Sequence, residues 1–403
     1  MPRSGNVVIG QSGGPTAGIN QTLIGVVQAC LAAPQTFTQV LGAVNGIQGI
    51  MDDRFHDFQT ETADNLELVA QTPSAALKSV RLKPTAEVCA KVLAQFQKRE
   101  VRYFFYIGGN DTAETAHIIN EMAREAGYEL TCIHCPKTID NDLRITDHCP
   151  GYGSAAKFVA QAFMGDNLDN RALGGIKINI VMGRNAGWLT AASALARAFP
   201  DDGPHLIYLP EVDFSLDAFC ADVFAVQSRL GRCVVAVSEG IHGPGGKEII
   251  DLGEVDSHGN KQLSGSGALG DALAGALKKW LAAKSPGTKY RVRADTFGYL
   301  QRCFPGVVSE VDAVEARQAG TAAVAAALAG TTSGSVAFKR RGEGAAYGVD
   351  TFITELRNVA KDIRNIPREW ISTAGNDVVG EKLLPYLRPL VGTLPRIGQL
   401  TLR

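Results

Sequence analysis

Short apolar runs that stop at glycine recur along this chain, and a helical pattern follows each of them. Residues 7–9 run into Gly10, 103–107 into Gly108-Gly109, 178–182 into Gly183, and 233–237 into Glu239-Gly240. The spacing between them predicts helices over 19–31, 85–97, 113–126, 186–198 and 216–230. Strand, glycine turn, helix, repeated, predicts an α/β fold with mostly parallel sheets. The near-continuous apolar runs fit strands covered on both faces. Ligands in such folds sit at the carboxyl ends of the strands, so the glycine turns are candidate site loops. Glycine is in excess, at 44 of 403 residues, as expected where backbone must approach a ligand closely. The length predicts two or three domains, with a boundary near Gly151-Tyr152-Gly153.

Charge and composition exclude several classes. Lys+Arg total 40 and Asp+Glu 41, a formal net charge of −1. That balance argues against a nucleic-acid binder or a protein held on anionic lipid, and leaves room for a local basic pocket. The longest apolar stretch, 322–329, is far too short for a membrane span and reads as part of a buried helix. The first five residues lead straight into 7–9 with no signal-type core, so a cytoplasmic protein is expected. Eight cysteines at scattered spacings do not imply disulfides. The stretch 240–270 reads as loop, with a hairpin around Ser257-His258-Gly259-Asn260. Lys339-Arg340-Arg341 reads as a solvated face.

Six loops could carry chemistry. Gly13-Gly14-Pro15-Thr16-Ala17-Gly18 follows the first strand and opens a helix, where backbone N–H groups and the helix dipole favour an anion. It fits neither the Walker pattern nor the dinucleotide fingerprint. Gly108-Gly109-Asn110-Asp111-Thr112 is a second such turn, in which one polar residue could serve merely as a cap. Pro136-Lys137-Thr138-Ile139-Asp140-Asn141-Asp142 is the densest. It supplies a cation and two carboxylates, the groups that phosphoryl transfer to a hydroxyl requires as base, charge clamp and Mg²⁺ ligands. Met182-Gly183-Arg184 sets an arginine at a strand mouth, suited to bidentate phosphate binding. Ser238-Glu239-Gly240 offers a carboxylate to sugar hydroxyls. Arg293-Ala294-Asp295 and Gly298-Tyr299-Leu300-Gln301-Arg302 add two arginines and a phenol. Cys132-Ile133-His134-Cys135 is a weak zinc motif, since the two cysteines of a strand at that spacing point to opposite faces.

Taken in order, these motifs resemble the phosphofructokinase family from Ile9 to at least Arg302. The resemblance implies two Rossmann-like three-layer lobes with the active site in the cleft between them. Residues 1–151 plus about 302–355 would form a phosphoryl-donor lobe, and 152–301 plus about 356–403 a sugar-phosphate lobe. It implies phosphoryl transfer to the 1-hydroxyl of fructose 6-phosphate, with Mg²⁺, in a homo-oligomer. By motif position, Asp140 is the general base. Thr138, Ile139, Asp140, Met182, Gly183, Arg184, Glu239 and Tyr299, Leu300, Gln301 and Arg302 bind the sugar phosphate, with Arg293 reaching in from a neighbouring subunit. Gly13, Gly14, Arg81, Asp111, Thr112 and Lys137 face the donor, and Asn110 and Asp142 face the metal.

Two positions separate the subfamilies. ATP-using members carry glycine where this chain has Asp111 and Lys137, and the pairing resembles the pyrophosphate-dependent members. Asp111 would fill and repel the place of a nucleotide α-phosphate. Two unit charges 4 Å apart interact by about 4 kcal/mol at an effective dielectric near 20. Lys137 would offset the charge of pyrophosphate and of the moving group, so Asp111, Lys137 and Asp140 form the implied catalytic set. The strand before Met182 lacks the arginine that ATP-type members send to a neighbouring sugar site, and Lys177 is the cation there. Alternatives are an ATP-dependent 6-phosphofructokinase, a NAD or lipid kinase (disfavoured by the third, fourth and sixth loops together) and a catalytically silent regulatory subunit.

Overall fold

The computed structural model describes residues 3–249, 266–360 and 362–400. The hairpin expected around 257–260 lies outside the described residues. In chain order the elements begin with β1 (Gly5–Gln11), α1 (Ile19–Leu31), β2 (Phe37–Ala43), α2 (Gly46–Met51), β3 (Phe55–Asp57), α3 (Ala63–Gln71), α4 (Ala86–Lys98), β4 (Val101–Gly108), α5 (Asn110–Glu125) and β5 (Thr131–Pro136). There follow α6 (Tyr152–Leu173), β6 (Gly175–Val181), α7 (Trp188–Ala191), β7 (Leu206–Tyr208), α8 (Leu216–Leu230), β8 (Arg232–Ser238) and a short ladder of β9 (His242–Gly243) with β10 (Lys247–Glu248). The chain closes with α9 (Ala268–Lys284), β11 (Val292–Thr296), α10 (Leu300–Cys303), α11 (Glu310–Leu328), β12 (Ser333–Arg341), β13 (Gly348–Thr354) and α12 (Gly380–Val391).

These elements divide into two compact units, Met1–Ser154 with Arg302–Arg364, and Ala155–Gln301 with Asn365–Arg403. The first is built on a seven-stranded sheet in the order β13-β12-β5-β4-β1-β2-β3. Its central pairs are parallel and its two outer pairs antiparallel. One face packs Val7, Ile9, Phe105 and Ile133 against α1, α3 and α11. The other packs Val8, Phe104 and Tyr106 against α2, α4 and α5. Alternate residues of one strand thus serve two cores, the reason these runs lack a polar face. Cys135 belongs to the first core and Cys132 to the second, on opposite faces. All eight cysteines are free.

The second unit holds a four-stranded, all-parallel sheet in the order β11-β6-β8-β7. Side chains of α8 and α9 cover one face. Residues 233–237 are fully buried in succession, as a strand covered on both faces requires.

Two sequence expectations are corrected. The helix expected over 186–198 is only α7 followed by a 3-10 turn, Ala192–Ala196. Arg197 ends it, turning to extended backbone as its guanidinium reaches Pro204 O (2.7 Å) and Asp377 (2.8 Å). In the basic cluster 339–341, Arg340 is not part of a solvated face. Its side chain is mostly buried, pairs with Asp147 at 3.1 Å and lies over the Tyr347 ring. There it supports a buried chain in which His148 Nδ1 meets Asp147 at 2.9 Å and Nε2 meets Glu315 at 2.6 Å. The Ala-rich stretch 322–329 falls in and just past α11, with Ala323, Val324 and Ala327 buried.

Candidate active site

The turn after β1 begins at Gly13, whose φ of 76° is disfavoured for any residue with a Cβ. The Gly13 N–H donates to Val80 O (3.2 Å) and its carbonyl accepts from Ser79 Oγ (2.6 Å), which brings the segment ending in Arg81 onto the turn. A Cβ at Gly13 would lie 3.2 Å from Lys137 Nζ, and one at Gly14 would lie 3.0 Å from Arg302 Cζ. The absence of side chains at 13 and 14 therefore makes room for two cations.

Lys137 is only 3% exposed and its Nζ donates to Gly14 O at 2.7 Å. Burial first, then the neighbouring Arg302 and Arg81, push its ammonium down to about 8, against the opposing pull of Asp140 and Asp142. Arg302, grouped in the sequence with the sugar-phosphate residues, thus has its guanidinium beside the Gly14 turn of the first unit.

The second glycine turn joins β4 to α5. A Cβ at Gly108 would fall 2.1 Å from Thr112 Oγ1, so glycine is required for Thr112 to be buried there. Gly109 takes the N-cap position, so neither Asp111 nor Thr112 is spent as a cap. Asp111 is exposed in the first turn of α5, and Asn110 Oδ1 accepts from its N–H at 3.1 Å.

The third loop is held to the second by Lys137 N–H donating to Gly108 O (2.9 Å). Thr138 Oγ1 accepts from Asp140 N–H at 3.1 Å, and its hydroxyl bonds the Asp142 carboxylate. Ile139 is buried and anchors the loop. Asn141 is buried at φ 56°, with Oδ1 accepting from Cys149 N–H at 3.0 Å. Burial and the nearby Asp140 push the Asp142 carboxyl up to about 7. Two carboxylates that repel each other in this way suit a divalent cation, and Mg²⁺ typically takes one or two carboxylates plus substrate phosphates. Among the described residues no group of three or more His, Cys, Asp or Glu side chains forms a metal cage of its own.

Arg364, which the sequence did not single out, closes this loop: its N–H donates to Asp142 O (2.7 Å) and its Nη2 to Asn141 O (2.8 Å). Nothing local marked it, because its partners lie more than two hundred residues away.

The remaining loops, Arg302 apart, lie in the second unit, at the carboxyl ends of β6 and β8 and on and after β11. Gly183, at φ 133°, donates its N–H to Glu239 Oε1 (3.4 Å), and its carbonyl accepts from Ser238 Oγ (2.6 Å). Met182 N–H donates to Gln301 Oε1 at 3.3 Å, and Gln301 Nε2 to Gly298 O at 2.9 Å. A Cβ at Gly240 would fall 1.9 Å from Arg184 O, so the β8 turn can lie against the Arg184 loop only as glycine. Glu239 and Gln301 are buried, Arg184 is half-buried, and Tyr299 and Leu300 are 51% and 61% exposed. Arg293 is exposed on β11. Lys177, the cation on the strand before Met182, has its Nζ paired with Asp166 (2.5 Å) and Asp169 (3.0 Å) of its own unit.

The phosphofructokinase family profile matches residues 6–327. A pyrophosphate–fructose 6-phosphate 1-phosphotransferase of Rhodospirillum rubrum is 52% identical over 392 residues, covering 96% of this chain and 94% of that one. Another, of Xanthomonas campestris, is 38% identical, covering 96% and 92%. The crystal structure of a pyrophosphate-dependent phosphofructokinase from Marinobacter aquaeolei superposes with a TM-score of 0.85 at 30% identity, covering 98% of this chain and 94% of that one. The mixed α/β fold with parallel sheets is what the solved structure shares with this chain. The chain belongs to the phosphofructokinase family.

Proposed function

We propose that this chain transfers a phosphoryl group from pyrophosphate to the 1-hydroxyl of fructose 6-phosphate, giving fructose 1,6-bisphosphate and phosphate, and that the reaction is reversible. The observation that carries the donor assignment is Lys137, buried against the Gly14 carbonyl at 2.7 Å, where ATP-type members have glycine. In this reading Gly13, Gly14, Arg81, Asp111, Thr112 and Lys137 receive the diphosphate. Lys137 and Arg81 offset its charge, and exposed Asp111 turns away a nucleotide. Thr138, Ile139 and Asp140 contact the sugar, whose 6-phosphate and ring are held by Met182, Gly183, Arg184, Glu239, Tyr299, Leu300, Gln301 and Arg302. Arg293 reaches a second copy in a homo-oligomer.

Asp140 takes the proton of the 1-hydroxyl as that oxygen attacks, a role worth about 10²–10⁴ in rate. Thr138 orients the Asp140 backbone through its 3.1 Å bond. Lys137 holds a positive charge where negative charge is greatest in the transition state. Asp142 and Asn110 would hold Mg²⁺, which supplies charge neutralisation at the phosphates. No helix among the described residues is long and apolar enough to cross a membrane, and eight free thiols fit a cytoplasmic setting.

The test is the initial rate with pyrophosphate against ATP at saturating fructose 6-phosphate and Mg²⁺. Pyrophosphate should be used and ATP scarcely. ATP preference would favour the ATP-dependent alternative, and inactivity with both donors the silent-subunit one.

A further inference from the structure

The loop 182–187 hangs between two carboxylates. At its start Gly183 N–H meets Glu239 Oε1. At its end Gly187 N–H donates to Glu211 Oε1 at 2.8 Å, and the same oxygen accepts from Ile366 N–H at 3.1 Å. Glu211 follows β7, and its second oxygen is buried without a hydrogen-bond donor among the described residues. That oxygen lies 2.7 Å from where a Cβ of Gly187 would stand, and Leu209 Cδ2 lies 2.9 Å from it. Glycine at 187 is therefore what lets the carboxylate close on the backbone.

A buried carboxylate is a costly way to satisfy two backbone N–H groups, and one of them, Gly187, lies three residues from Arg184. Glu239 is already assigned to the sugar. Glu211 accepts from the backbone N–H groups of Gly187 and Ile366 and has no such assignment.

We propose that Glu211 is a positioning residue: it fixes the Gly187 end of the loop and thereby sets where Arg184 presents its guanidinium to the sugar phosphate. This rests on the reading of the Arg184 loop given above. Arg184 then owes its placement to two anchors, one shared with the substrate and one purely internal.

The test is steady-state kinetics of the full-length enzyme with fructose 6-phosphate and pyrophosphate varied in turn, for wild type, Glu211→Ala, Glu211→Gln and Arg184→Ala. Glu211→Ala should raise KM for fructose 6-phosphate about tenfold and leave KM for pyrophosphate within about twofold, the order of one charge-assisted hydrogen bond lost. Glu211→Gln should recover most of the loss, because an amide oxygen accepts the same two N–H groups. Unchanged KM for the sugar in Glu211→Ala, with the rise present in Arg184→Ala, overturns the positioning role and spares the loop's assignment. No rise in Arg184→Ala overturns the assignment and this inference with it. An equal rise in both KM values in Glu211→Ala marks a merely structural role and also overturns it. If Glu211→Ala does not fold, Gly187→Ala displaces the carboxylate through the 2.7 Å contact and is read by the same split.

Discussion

Lys137→Met separates what this side chain does for catalysis from what it costs the fold. The ammonium is buried and pushed from 10.5 to about 8. A depression of that size corresponds to about 3 kcal/mol of native-state cost at neutral pH. The sign follows from proton binding. The unfolded chain holds this proton more tightly, so the cost is complete below about pH 8 and is relieved as pH rises from there to 10.5. Methionine keeps the length and removes the charge. It also removes the bond to Gly14 O, which returns roughly 1.5–3 kcal/mol of that gain.

The variant should therefore be at least as stable as wild type at pH 7, by about 1 kcal/mol, and the gain should vanish towards pH 10. That is a rise of about 2–4 °C in the melting temperature of a unit this size. All three tryptophans, Trp188, Trp280 and Trp370, lie in the second unit. Tryptophan fluorescence is thus a control that should not move, while calorimetry reports both units. Activity should go the other way, with kcat for pyrophosphate down about 10²–10³. In wild type the same rate should fall above about pH 8 as Lys137 loses its proton. A loss of more than about 2 kcal/mol at pH 7, or kcat within about threefold of wild type, would refute the reasoning.

Asp140→Asn should lower kcat by about 10²–10⁴ with KM for the sugar little changed. The Asp140–Asp142 pair should give wild-type activity an acid limb near pH 7, which Asp142→Asn moves lower; a limb that stays put would detach the pair from the rate. Arg184→Ala should raise KM for fructose 6-phosphate alone. Arg302→Ala, whose guanidinium lies beside Gly14 and Lys137, should raise KM for both substrates, and separate initial-rate series check the difference. Asp111→Gly should raise kcat/KM for ATP relative to pyrophosphate, and no relative gain would remove Asp111 from donor choice.

The parts of this fold that were legible are those where local physics agrees with the tertiary result. Helix α1 and helix α8 begin and end where their spacing predicts, and α8 is bounded by a Ser215 cap and Gly231 in the left-handed region. The phosphate-type loops were legible because a Cβ at 108 or 240 would strike neighbouring atoms, so glycine marks them in the sequence. The unread parts depend on distant partners. The break after α7 is made by Asp377, and the inward turn of Arg340 by Asp147 and Tyr347. Glu211 was not singled out in the sequence, because the two N–H groups that meet its one oxygen come from Gly187 and Ile366, elsewhere along the chain.

A donor as small as pyrophosphate has no nucleoside to grip, so its binding energy must come from the phosphates themselves. In the proposed reading the first unit meets that demand with cations set close enough to disfavour one another: Arg302 and Arg81 both push the Lys137 proton off. The same loop does the converse further on, where burial and Asp140 favour a proton on Asp142. Two sets of like charges, each uncomfortable alone, meet on the loop that carries Lys137, Asp140 and Asp142 and draw the titrations of Lys137 and Asp142 towards neutrality from opposite sides. An anionic donor relieves the first set and a divalent cation relieves the second. In this reading the repulsion within each set is what the substrates relieve on binding, and the interaction with charge that grows in the transition state is larger still.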